Sequence, residues 1–164
     1  MKLKFRLLIL FGLAMIGLLV NSCEKTKQDY IASLFTGGKW QLSTVTVTSY
    51  TGAETISSDT LFASCSLVQD FTFNSDKTCS FANYDCSTQT SNGHWSLSAD
   101  KLFLSSDIVC QTAAKKDTVP FKTAKIMNLG QYSLVLQTGD LETYYPPNQH
   151  RVVTQWGFVR VKSQ

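Results

Sequence analysis

The chain has 164 residues, 15 basic and 12 acidic side chains, and a formal charge of +3. Three of the positive charges, Lys2, Lys4 and Arg6, sit at the extreme start, so everything after residue 22 is electrically balanced. A balanced chain of this length makes one domain with a real core, and it has no basic field to draw it to nucleic acid or acidic lipid.

The first predicted element is a leader rather than part of the fold. An apolar run from Leu7 to Val20 follows the basic start, and Asn21-Ser22-Cys23 follows the run. That order describes a secretory signal peptide over residues 1–22. A helix over Leu7–Val20 would rise only about 21 Å, short of the roughly 30 Å hydrocarbon core, which argues against a permanent transmembrane anchor. Val20-Asn21-Ser22-Cys23 resembles a bacterial lipobox, with Asn21 an atypical filler. The resemblance implies cleavage before Cys23 and lipid on its sulfur, so the membrane is an expected partner. Acyl chains gain about 0.8 kcal/mol per buried methylene, so several on one cysteine hold firmly. Glu24 follows where an aspartate would signal inner-membrane retention, and outer-membrane residence is expected, on either face.

Residues 23–29 read as a polar tether, and residues 30–164 as the domain. Asp29 caps a brief helix over 30–35, which Gly37-Gly38 ends. Beyond it Val, Thr, Ser, Phe and Tyr dominate, and turn residues recur about every 8–15 positions. Eight strands are predicted near 39–49, 67–74, 78–84, 94–98, 101–106, 118–127, 132–138 and 151–162. Long linkers are expected at 50–66 and 107–117, and Tyr144-Tyr145-Pro146-Pro147-Asn148 forms a stiff aromatic loop before the last strand. The fold class is therefore all-β. An eight-stranded antiparallel up-and-down barrel with a short N-terminal helix leaves no open sheet edge, and a sandwich is the main alternative.

Gly38-Lys39-Trp40-Gln41-Leu42 resembles the lipocalin opening, Gly-x-Trp on the first strand after a helical turn. Phe71-Thr72-Phe73-Asn74-Ser75-Asp76-Lys77-Thr78, Gly93-His94-Trp95-Ser96-Leu97-Ser98 and Asp100-Lys101-Leu102-Phe103-Leu104 resemble the following strands of bacterial lipocalin-like lipoproteins. The resemblance implies a calyx-like barrel with no catalytic machinery and no cofactor. It also implies an arginine from the last strand closing the barrel against Trp40. Arg160 matches that role better than Arg151. Where the family has glycine in an Asp-Gly-Thr turn, this chain has Lys77.

Facing residues narrow the cysteine chemistry. A three-residue loop, Ser75-Asp76-Lys77, sets Phe71 against Phe81 and Phe73 against Cys79, and puts Lys77 at positive φ. Replacing Lys77 by glycine should then stabilise the domain. Extended outward, this register brings Cys65 opposite Ser87 or Cys86. After the leader four cysteines remain besides Cys23, and an exported chain reads them as disulfides. Cys65–Cys86 is the first expected pair, and Cys79–Cys110 follows by elimination. No CxxC pair supports a metal site, and His94 and His150 lie far apart. His94 precedes Trp95 on a strand, so an inward Trp95 leaves His94 in solvent.

No Gly-x-Ser-x-Gly, HExxH or glycine-rich phosphate loop is present, so an enzyme is not expected. The expected function is a monomeric, lipid-anchored binding protein that holds a small hydrophobic ligand in the barrel. Phe71, Phe73, Phe81, Trp95 and Phe103 either line that pocket or fill the core, and bulky rings tend to fill a barrel this small. The alternative is a protein- or glycan-interaction module, including a hydrolase inhibitor, acting through its loops and Tyr144 and Tyr145 on a filled barrel.

Overall fold

The computed structural model describes residues 30–61 and 65–161. The leader, Cys23, the tether and the Asp29 cap lie outside the described residues.

Helix α1 (30–36) opens the domain, and eleven strands follow it. They are β1 (Lys39–Thr51), β2 (Glu54–Thr60), β3 (Asp70–Phe73), β4 (Thr78–Ala82), β5 (Thr90–Leu97), β6 (Phe103–Ser106), β7 (Cys110–Gln111), β8 (Asp117–Thr118), β9 (Ala124–Leu129), β10 (Ser133–Gly139) and β11 (His150–Val161). The sheet runs β11-β10-β9-β6-β5-β4-β3-β1-β2 and closes through β11–β1 pairing. The closed ring thus holds eight antiparallel strands, with β2 standing outside it.

Closure follows from the length of β1. Its whole length pairs with β11, from Lys39↔Val161 to Thr51↔His150. On its other edge only Lys39, Trp40 and Gln41 meet β3. Beyond a bulge between Leu42 and Thr44, β1 turns to pair with β2 instead. An extra residue in one strand bends it and increases its twist, and here the bend takes β1 away from β3.

The expected β3–β4 hairpin forms in the expected register, Phe71↔Phe81 and Phe73↔Cys79. Lys77 has φ 71. Asp76 accepts the Thr78 backbone N–H at 2.9 Å and its hydroxyl at 2.7 Å, and these bonds hold its carboxyl below the ordinary value. Trp95 points inward and His94 outward.

Two expected linkers contain strands. Residues 50–66 include β2, and 107–117 include β7 and the start of β8, which form a small ribbon apart from the barrel. The strand expected over 118–127 begins only at Ala124. Pro120 has no N–H for a ladder, and Lys122 instead donates back to Val119 O in a turn. Phe121 is nonetheless fully buried, and its carbonyl accepts the Ser106 N–H at 2.8 Å.

Helix α1 covers one end of the barrel. Phe35 inserts into the core, and its carbonyl accepts the Trp40 indole N–H at 3.0 Å. The Arg160 guanidinium lies 4.4 Å from the Trp40 ring centre and donates to Leu34 O. The Gly37-Gly38 stop lies against this contact. A side chain at Gly37 would meet Arg160 Nη1 at 2.7 Å, and Gly38 has φ +146.

Candidate binding cleft

The rings expected to line a pocket are brought together, but as a plug. Phe71 lies 4.1 Å from Phe73, 5.3 Å from Phe81 and 5.1 Å from Phe121, centre to centre. Phe35 closes on Phe73 at 5.1 Å and Trp95 at 5.7 Å. All of these side chains are buried, whereas Phe103 is only half-buried. At these separations the described rings are close-packed in the barrel interior.

Space opens instead in the barrel wall, where β1 leaves β3 for β2. A cleft of about 300 Å³ lies there between Gln41–Val45 on one side and Cys65–Gln69 with Tyr84–Cys86 on the other. Trp156 of β11 also lines it, opposite Val45 in the register. Tyr84 stacks on Trp156 at 6.3 Å, and the Trp156 indole donates to Thr138 Oγ1 at 2.9 Å. This volume is at the lower end of ordinary small-molecule sites.

The far wall is built tightly. Cys65 and Cys86 form the expected disulfide, with Cα atoms 5.6 Å apart. Asn83, Asp85 and Cys86 all have left-handed φ, 57, 50 and 57. Crossing bonds hold them there: Asn83 Nδ2 donates to Val68 O at 2.8 Å, and the Asp85 N–H donates to Gln69 Oε1 at 3.0 Å. The Ala113 N–H donates to Asp85 Oδ2 at 2.7 Å. Tyr84 is 9% exposed, and its hydroxyl has no hydrogen-bond partner among the described residues. Burial, with the nearby Asp85 and Cys110 adding to it, pushes its pKa up to about 12.

The expected Cys79–Cys110 pair is corrected. Both are buried free thiols. Strand β4 turns the Cys79 sulfur to Ser106 Oγ at 3.4 Å, while Cys110 belongs to the separate β7–β8 ribbon. Burial raises both thiol pKa values. Elimination assumed that every cysteine must pair, and no register joins these two.

The remaining candidates lie elsewhere. Tyr144 is 86% exposed, whereas Tyr145 stacks 3.5 Å from the Arg151 guanidinium. Tyr50 lies 4.9 Å from the same cation, and Arg151 Nη2 donates to Gly52 O at 3.1 Å. Arg151 thus fixes the aromatic loop, while Arg160 sits at Trp40. His94 Nδ1 is 3.2 Å from Asp107 Oδ2 at the surface. Hydrogen bonds from the His94 backbone and ring lower the Asp107 pKa. His150 lies 3.1 Å from Thr51 Oγ1. Among the described residues no group of three or more His, Cys, Asp or Glu side chains could hold a metal.

Tyr84 and the cleft glutamines, Gln41 and Gln69, carry no sequence signal as a site. They meet only because β1 bulges and the 83–86 turn is left-handed.

An eight-stranded antiparallel barrel with a plugged interior and an open cleft in its wall defines the class. Residues 26–132 match the family described as "Domain of unknown function (DUF5004)", and the chain belongs to that family. No curated protein matches the chain.

Proposed function

We propose that this chain is a lipid-anchored binding protein of the cell envelope. In this reading it is cut before Cys23, held at the outer membrane as a monomer, and carries its ligand in the wall cleft rather than along the barrel axis. The observation that carries the reading is the 300 Å³ cleft beside Trp156, in a barrel whose interior is otherwise filled by rings. The disulfide supports it, because a far wall whose two segments are pinned together loses little entropy when a ligand enters. The expectation of a hydrophobic ligand inside the barrel gives way to a compact ligand at its side.

Native mass spectrometry of protein purified without detergent tests this. Wild type should retain a small molecule, and Val68→Trp should lose it. Val68 is a half-exposed rim residue, so the larger ring enters the cleft without entering the core. A bound mass that survives in Val68→Trp, or none in wild type, rejects the reading.

A second reading has one observation in its favour. Tyr145 is clamped by Arg151 while its neighbour Tyr144 is held out in solvent. A rigid, exposed tyrosine suits recognition of a protein or glycan at low entropic cost.

A further inference from the structure

We propose that the cleft takes a short, uncharged saccharide, received on the Trp156 and Tyr84 side and hydrogen-bonded by Tyr84, Gln41 and Gln69. This deepens the binding reading above and rests on it.

A fatty acid or other long apolar chain needs a tube, and Phe71, Phe81 and Phe121 occupy the axis where one would run. An anion needs a cation or a cluster of donors. The only charged side chain among the described residues lining the cleft is Asp85, and it is negative. A purely apolar ligand would leave the polar groups of the walls without partners, at a cost for each buried group.

Apart from Asp85 those polar groups are neutral, and several are open. The Tyr84 hydroxyl has no partner among the described residues. Its high pKa keeps it protonated, so it can donate at any physiological pH. Gln41 makes no side-chain hydrogen bond among the described residues. Gln69 spends its carbonyl on the Asp85 N–H, but its amide nitrogen has only the Cys86 sulfur at 3.8 Å. Sulfur is a weak acceptor, so a ligand oxygen can displace it. Leu42 and Trp156 supply the apolar surface between these groups. A pyranose has this same division: a C–H face that packs on aromatic or aliphatic surface, and a rim of hydroxyls that both donate and accept.

The test uses the mature chain and two probe sets. Glucose-, galactose- and N-acetylglucosamine-based di- and trisaccharides are titrated by calorimetry, and oleate serves as the apolar probe. Tyr84→Phe keeps the ring and removes the hydroxyl, and Gln41→Leu keeps the volume and removes the amide. A saccharide should bind wild type, and each variant should weaken it by about tenfold. Val68→Trp should abolish it. Oleate binding that Val68→Trp blocks, with no saccharide bound, overturns the ligand class and leaves the cleft reading intact. Binding of neither probe, with no co-purified mass, removes both. Saccharide binding that is indifferent to Tyr84→Phe and Gln41→Leu puts the sugar elsewhere and overturns the proposal.

Discussion

At Lys77 two local effects oppose each other. A non-glycine residue in the left-handed region costs about 1–2 kcal/mol. The Lys77 ammonium, however, lies 4.0 Å from the Trp95 ring centre, a contact worth about 0.5–1 kcal/mol at an exposed site. Glycine would relieve the backbone, lose the ring contact and add freedom to the unfolded chain. The simple gain expected for Lys77→Gly therefore shrinks toward zero. The backbone term is isolated by comparing two variants that both lack the ammonium. Lys77→Gly should be more stable than Lys77→Ala by about 1 kcal/mol in urea titration. An alanine variant as stable as the glycine one would mean that φ at this position carries no strain. The left-handed Lys77 can be read from the chain because Phe71, Phe73, Cys79 and Phe81 must face each other in pairs, which fixes the loop length. Asn83, Asp85 and Cys86 are left-handed for tertiary reasons, through bonds to Val68, Gln69 and Ala113, so no local pattern announces them.

Among the elements, those that bury one face are the ones visible in the sequence. Strands β3 and β4 alternate buried and half-buried residues, and that alternation is the signal that period-two reading detects. Strand β2, Glu-Thr-Ile-Ser-Ser-Asp-Thr, is exposed at every position. With neither face buried it has no apolar alternation, and it exists because β1 outruns the barrel and offers it an edge. The disulfide closes the β3–β4 hairpin beyond its open end. It ties the segment before β3 to the turn after β4 across 21 residues, and closing such a loop is worth about 3 kcal/mol. Replacing Cys65 and Cys86 together by serine should lower stability by about that amount in denaturant titration. Hydrogen exchange in the folded variant should rise at residues 65–69 and 83–87, while the amides of the β3–β4 hairpin stay protected. Loss of protection throughout the hairpin would show instead that the barrel depends on the bond to hold its register.

For the whole molecule, the proposed anchor and the barrel are separable, and this makes the anchor testable. The barrel begins at residue 30 with α1, six residues beyond Glu24, so the intervening chain spans at most about 20–25 Å. A lipid on Cys23 would therefore hold the α1 end close to the bilayer. Once residues 1–22 are removed, acidic and basic side chains balance, so the surface charge of anionic lipid gives little net attraction. One acyl chain alone binds only marginally, whereas several together anchor firmly, so attachment should depend almost wholly on the modified cysteine. Cys23→Ser should then appear either in the soluble fraction after cell breakage or as an uncut precursor of higher mass. Its barrel should keep the Cys65–Cys86 bond and the melting temperature of the wild-type domain, because the closed sheet is built from strands between Lys39 and Val161. Fractionation with a salt wash separates the outcomes. A Cys23→Ser protein that is cut like wild type and still sediments with membranes after the wash would show that the lipid is not what holds the chain. The search for a membrane contact would then move to the exposed side chains of the barrel wall.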